Sequence, residues 1–336
     1  MLGAVKRAVD SRPGPGSYLI TGSVRSDLDA EGWPLTGRAI RVEMFGLIQR
    51  EIEGGAGVEP LFDRIRTESV EALRGPTTDL ALNDYLDFTL RGGYPDSVLA
   101  PSEPLRRRWL RAYVDQVVRR DAELLDSGRD PLRLRRYLQV LCLNSAGVPT
   151  AKSLYEAAGI DARTAREYDR LMRNLLIVDE MPAWWNNRLK RLVKAPKRYI
   201  IDPGLACAIL QVDRAGLRRD GDLLGRLLDT FTVSQLRAEA RLSESDPTLY
   251  HLRTAEQRHE IDLLAEYPDG TVFGFEFKSA AAVSAKDARH LMWLRDELGD
   301  RFLGGAVLHT GPRSFALGDR MIAAPIAALW SRPAKT

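Results

Sequence analysis

The stretch from Arg258 to Ser279, RHEIDLLAEYPDGTVFGFEFKS, gathers acids and a lysine at strand-like spacing. Ile261, Leu263 and Ala265 alternate with other residues in its first half and Phe273, Phe275 and Phe277 in its second, with Pro268-Asp269-Gly270 as a turn between them. That pattern predicts a β-hairpin. Strand alternation places Glu260 with Asp262 and Glu276 with Lys278, and hairpin pairing sets the two faces side by side, so three carboxylates and an ammonium are expected to converge. Like charges this close call for a cation among them, and hard oxygen ligands suit Mg²⁺ or Mn²⁺ held by Asp262 and Glu276. Such an ion polarises a phosphodiester and acidifies a bound water, with Lys278 orienting that water or steadying the developing charge. Solvated sheet faces often carry the same E-x-K spacing, so the letters alone do not separate a metal site from an ordinary surface.

The flanking elements narrow the choice. An amphipathic run from Asp222 to Leu242 puts Leu224, Leu227, Leu228, Phe231, Leu236 and Leu242 at helical spacing, and Leu249 to Leu252 reads as a strand. A helix near Ala285 to Leu298 and an apolar strand near Phe302 to Leu308 follow the hairpin. Helix, three strands, helix, strand, with an acid on the second strand and E-x-K on the third, resembles the PD-(D/E)xK nuclease-like fold. The resemblance implies a catalytic set of Asp229, Asp262, Glu276 and Lys278, in which Asp229 stands where members of that family more usually carry glutamate.

Bulk properties bound the rest. At 336 residues, with 44% apolar and 28% charged residues, the chain is long enough for two or three cores and has the composition of a globular protein. No apolar run approaches a membrane span, and the amphipathic start does not read as a signal peptide. Cys142 and Cys207 supply neither a disulfide framework nor a zinc pattern, so a reducing cytoplasm is expected. A net charge of +3 implies no uniform polyanion-binding surface, which leaves local basic clusters as the candidates.

Residues 1 to about 90 read as a helix, a strand at Tyr18 to Gly22 and a second strand at Ala39 to Phe45. The runs YLITGSVRSDL, LTGR and GLIQRE resemble the second half of a bacterial and archaeal AAA-type P-loop ATPase family. The resemblance makes Thr21 or Ser23 the remnant of a position that senses the γ-phosphate. No G-x-x-x-x-G-K-[ST] is present to cradle phosphates, and no apolar strand ends in paired acids to hold Mg²⁺. A truncated start or a degenerate ATPase accounts for both gaps, and on either account no ATP binding is expected. An open sheet edge near Tyr18 is expected to be either a liability or a docking surface for a protein partner or a second copy.

The middle is predicted helical. Leu80 to Leu90 is a helix, and Arg91-Gly-Gly-Tyr-Pro95 followed by a long helix over Leu105 to Leu125 resembles the domain of unknown function that follows the ATPase core in that family. Beyond it come helices at Leu134 to Leu143, from a Thr150 cap to Ala158, and at Ala162 to Leu175, with Gly159-Ile160-Asp161 as a turn and Leu176 to Trp184 strand-like. This resembles a winged helix-turn-helix, which implies DNA as partner. Arg163, Arg166 and Arg170 point outward from the presenting helix, and Arg188, Lys190, Arg191 and Lys194 lie in the wing run Asn186 to Arg198 at spacings that suit phosphates. The competing reading is a packing module, since Glu167 and Asp169 dilute the helix's charge. His251 and His259, at strand ends, are expected to be surface or capping groups.

The fold class is therefore mixed α/β. Residues 1–90 are expected to be a partial P-loop remnant, 91–130 a helical connector, 131–210 a winged helix-turn-helix, and 221–330 a restriction-endonuclease-like domain. The leading functional expectation is a DNA-associated cytoplasmic protein with a metal-dependent phosphodiesterase site. The alternatives are a non-catalytic DNA- or protein-binding regulator and a truncated ATP-binding protein that is inert alone.

Overall fold

Strand-like alternation does not make strands of the N-terminal segments. The computed structural model describes residues 2–11, 14, 16–22, 37–40, 42–55, 57–120, 131–184, 195–254 and 259–331, and within them Leu2–Ser11 is helical while 16–22, 37–40 and 42–47 are neither helix nor strand. The strands expected at Tyr18 to Gly22 and Ala39 to Phe45 are thus corrected, and with them the open sheet edge. A ladder needs a partner, and among the described residues no strand pairs with either segment. Leu19 and Ile40 consequently stand 91% and 94% exposed.

From Gly46 onward the chain packs. Helices α1 (Leu61–Glu68) and α2 (Leu82–Arg91) lead into α3 (Glu103–Arg120), and α4 (Pro131–Leu143), α5 (Ala151–Ala158) and α6 (Ala162–Asn174) follow. Thr150 caps α5 by accepting from Ser153 N at 3.1 Å, Gly159 ends it at φ 65°, and Asp161 caps α6 through Arg163 N and Thr164 N. Strands β1 (Val178–Met181) and β2 (Lys197–Ile200) pair antiparallel, and α7 (Pro203–Leu210) follows. Tyr137, Leu154, Tyr168, Met172, Val178 and Ile200 share one core with these helices.

A crossing of three glycine-containing segments locks this core to the N-terminal side. Leu47 N donates to Gly93 O at 2.6 Å, while Asp202 accepts from Gly93 N at 2.6 Å and, as cap of α7, from Leu205 N at 2.8 Å. Gly92 sits at φ +67° against the Asp202 carboxylate, and a Cβ at Gly204 would lie 2.8 Å from Gly92 N. Backbones this close admit no side chain.

Helix α8 (Gly221–Leu242) then leads into β3 (Thr248–Arg253), β4 (Glu260–Glu266) and β5 (Val272–Phe277), followed by α9 (Arg289–Leu298), β6 (Phe302–His309), β7 (Phe315–Gly318) and β8 (Met321–Pro325). The sheet order is β3-β4-β5-β6-β8-β7, parallel at β5/β6 and β6/β8 and antiparallel elsewhere. Leu228, Phe231 and Leu236 of α8 cluster with Leu263, Phe273, Phe275 and Phe277, whereas Leu291 and Leu294 of α9 cluster with Leu264, Val272 and Val307. With both faces covered, every residue of β5 is buried. The mixed α/β class holds.

Candidate functional site

The two hairpin strands do not pair one residue for one on both sides. Between β4 and β5 the paired register runs as far as Leu263 opposite Phe275, and Asp262 and Glu276 are the next residues along each strand. Between β3 and β4 it slips: Tyr250 faces Leu264 and Leu252 faces Ile261, so Asp262 and Leu263 together oppose His251. This is a β-bulge, and bulges re-aim side chains. Asp262 Oδ2 accepts from Phe277 N at 3.0 Å. Glu260, expected beside it, instead ion-pairs with Arg253 at 3.8 Å near the start of the strand.

The cluster's dominant contact comes from another sheet. Lys197 Nζ, at the start of β2, donates to Asp262 Oδ1 at 2.9 Å, with the side chains only 3% and 15% exposed. The ammonium of Lys197 also lies 6.0 Å from the Tyr199 ring centroid, and the Arg237 guanidinium 5.0 Å from it. Just past β5, Lys278 Nζ reaches Glu276 Oε2 at 3.4 Å, and Lys278 N donates to Leu308 O at 2.8 Å, which holds it at the strand end. Asp229 comes from the middle of α8, partly buried.

The charges divide in a definite way. Burial, then the neighbouring Asp262, pushes the Asp229 carboxyl up to about 8. Burial, then Asp262, likewise holds Glu276 well above the usual carboxylate range. Burial also opposes ionisation of Asp262, but Lys197 outweighs it with help from the Phe277 amide, and the carboxyl lies below its ordinary value. Asp262 is thus the ionised acid, matched by Lys197, while Asp229 is held as a neutral acid at pH 7. In this cluster Glu276 Oε1 and Tyr199 Oη are buried without a hydrogen-bond partner.

The structure therefore brings together Asp229, Asp262, Glu276 and Lys278 and adds Lys197, Tyr199 and His251, which sequence reasoning did not assign. Among the described residues no three His, Cys, Asp or Glu side chains are grouped to hold a metal ion. His251 is buried, not a surface group; its burial, reinforced by Lys197, lowers it to about 4, and its backbone links β3 to Pro182 and Trp184. His259 stacks on Trp293 with ring centroids 4.0 Å apart and meets His290, Nδ1 to Nδ1, at 3.3 Å. Strand alternation over Lys197-Arg-Tyr199 was the local signal that paired Lys197 with Tyr199.

Arg163, Arg166 and Arg170 are exposed on α6, spaced three and four apart along one face. Arg163 is engaged by Glu167 at 3.4 Å. Asp169 turns away from that face, accepting from Tyr137 Oη at 2.7 Å and pairing with Arg198 at 3.3 Å. Thr21 is exposed on a segment without regular structure, while Ser23, Arg188, Lys190, Arg191 and Lys194 lie outside the described residues. No described helix is long and apolar enough to cross a membrane.

Two family profiles match the chain: a domain of unknown function (DUF8612) over residues 82–216 and another (DUF4143) over residues 224–329. The second is a domain often found with ATPase-like AAA domains. An uncharacterized protein of Mycobacterium bovis and one of Mycobacterium tuberculosis are each 29% identical to the chain over 325 residues, 96% of its length. The chain spans 65% of the length of these curated relatives.

Proposed function

We propose that this protein is a DNA-associated relative of ATPase-linked proteins whose C-terminal domain carries a metal-dependent phosphodiesterase site built from Asp229, Asp262, Glu276 and Lys278. The observation that carries the reading is the placing of Asp262 and Glu276 just beyond the last paired residues of β4 and β5, with Asp262 accepting from Phe277 N, Lys278 two residues on from Glu276, and Glu276 Oε1 buried without a partner. An orphaned buried carboxylate oxygen is costly unless a ligand completes it, and Mg²⁺ or Mn²⁺ has the required chemistry. Such an ion would be held by Asp262 and Glu276 and would supply Lewis acidity toward a phosphodiester. Lys278 places an ammonium beside Glu276, where it would steady negative charge developing on phosphate oxygens. Asp229, neutral at pH 7, would offer a proton to a departing oxygen.

Helix α6, with its arginines outward and Asp169 turned inward, supports the DNA-facing part of the reading, and a winged helix-turn-helix is the module proposed for residues 131–210. The basic run from Arg188 to Lys194 is proposed to contact phosphates on the same duplex. These 336 residues contain no phosphate-binding loop, and by themselves they are proposed not to bind ATP. Tight retention of radiolabelled ATP would count against that.

The test is incubation of linear and supercoiled DNA with Mg²⁺ or Mn²⁺, using the wild type beside Lys278→Ala. Cleavage by the wild type that disappears in the variant is expected. DNA binding by both without cleavage would replace the reading with a second one, a non-catalytic regulator. That second reading is favoured by the Lys197–Asp262 ion pair, which already neutralises the acid best suited to a metal.

A further inference from the structure

Resting on the proposal that Asp262 and Glu276 take a divalent cation, we infer that Lys197 is the cluster's own exchangeable counter-cation, a gate that a metal ion must displace before the site is assembled. Three observations carry this. First, the ammonium occupies Asp262 Oδ1 at 2.9 Å while Phe277 N occupies Oδ2, so both carboxylate oxygens are engaged without a metal. Second, Glu276 Oε1 and Tyr199 Oη of the same cluster are buried without partners, 4% and 2% exposed as residues, so polar capacity in the cluster is left over. A single ammonium has three protons and no octahedral shell, and it cannot satisfy what a hydrated divalent ion would. Third, Lys197 belongs to β2, in a different sheet from the acids, so its withdrawal leaves the β4–β5 register intact.

A unit positive charge within hydrogen-bond distance of Asp262 repels an incoming cation and competes with it for the same carboxylate. The residue acts on the metal and not on substrate, which makes it a positioning residue. A merely structural lysine would lose stability when truncated and leave metal affinity no better. A gate predicts the opposite for affinity.

The experiment measures Mn²⁺ binding to the full chain by electron paramagnetic resonance and calorimetry, without DNA, for the wild type, Lys197→Met, Lys197→Arg and Lys197→Met/Asp262→Asn. Lys197→Met is expected to bind Mn²⁺ more tightly than the wild type by about tenfold or more, as removal of one adjacent unit charge requires. Lys197→Arg should resemble the wild type, and the double variant should lose the gain. Equal affinity in wild type and Lys197→Met, with both binding, would overturn the gate and spare the metal site. Absence of Mn²⁺ binding in both would overturn the metal site itself, and the gate with it. Should Lys197→Met fail to fold, wild-type lysine acetylation mapped by mass spectrometry decides the matter. Lys197 is expected to be protected without Mn²⁺ and labelled as Mn²⁺ is raised, and unchanged protection would reject the gate.

Discussion

Lys197 Nζ and Asp262 Oδ1, 65 residues apart in the chain and 2.9 Å apart in space, join the two-stranded sheet to the six-stranded one. Both side chains are largely withdrawn from water, so removing one partner strands a charge, whereas removing both does not. Asp262→Asn is expected to cost about 3–5 kcal/mol in urea unfolding. The double change Lys197→Met/Asp262→Leu is expected to recover a large part of that loss. Additive losses in the double-mutant cycle would show that the pair is not coupled.

The neutral acid on α8 gives a pH test. Asp229 is pushed up to about 8 by burial and by Asp262, so the folded state keeps its proton over a range where the unfolded chain has lost it. A folded pKa raised above the unfolded value contributes stability that is complete below about pH 4 and is lost as pH rises through about 8. Asp229→Asn cannot ionise and should escape that loss. Between about pH 7 and about pH 9 the wild type should lose about 1 kcal/mol more than the variant in chemical denaturation. Parallel pH profiles for the two proteins would place the Asp229 carboxyl at an ordinary value.

How much of this was legible follows from what each pattern encodes. The β4–β5 hairpin, α8 and α9 were readable because apolar periods of two and 3.6 report which face meets a core. The bulge opposite His251 was not, since alternation assumes one-for-one pairing and carries no mark of an extra residue. Glu260 was misplaced for that reason. Lys197 was hidden differently: within Asn186 to Arg198 it reads as one more cation of a phosphate-binding run, and its carboxylate partner lies 65 residues away. The segments around Leu19 and Ile40 show the converse, strand-like spacing for which the described residues offer no neighbour to complete a ladder. Within residues 321–330, an apolar run with no clear period, Met321–Pro325 forms β8 alongside β6, and burial on both faces depends on the rest of the sheet.

The glycine crossing predicts a sharp stability effect away from the acids. Gly92 combines φ +67° with direct apposition to the Asp202 carboxylate, so a methyl there meets both backbone strain and overlap. Asp202 cannot retreat without releasing Gly93 N and Leu205 N, two amides it accepts from in a buried setting. Gly92→Ala should therefore cost about 3 kcal/mol or more, through the strained backbone and the broken capping contacts together. Gly225→Ala, where an added Cβ meets nothing within 4 Å and α8 gains helix propensity, should be neutral or stabilising. Thermal melts of the two variants give the comparison, and equal melting temperatures would show that the crossing is looser than its contacts.

The α6 face offers the most direct test of DNA as partner. Arg163, Arg166 and Arg170 follow one stripe of the helix; of the two acids that would offset them, Asp169 is occupied by Tyr137 and Arg198 on the inner side, while Glu167 engages Arg163. Each phosphate contact releases counterions and adds about 0.9 to the slope of log affinity against log salt for duplex DNA. Replacing all three arginines by alanine should reduce that slope by about 2–3 and weaken binding to unrelated sequences about equally. The core face of α6, Ala165, Tyr168, Leu171 and Met172, is untouched by the change, so the circular dichroism should be preserved. A triple variant that keeps the wild-type salt slope would remove α6 from the DNA-binding surface and return the helix to a packing role.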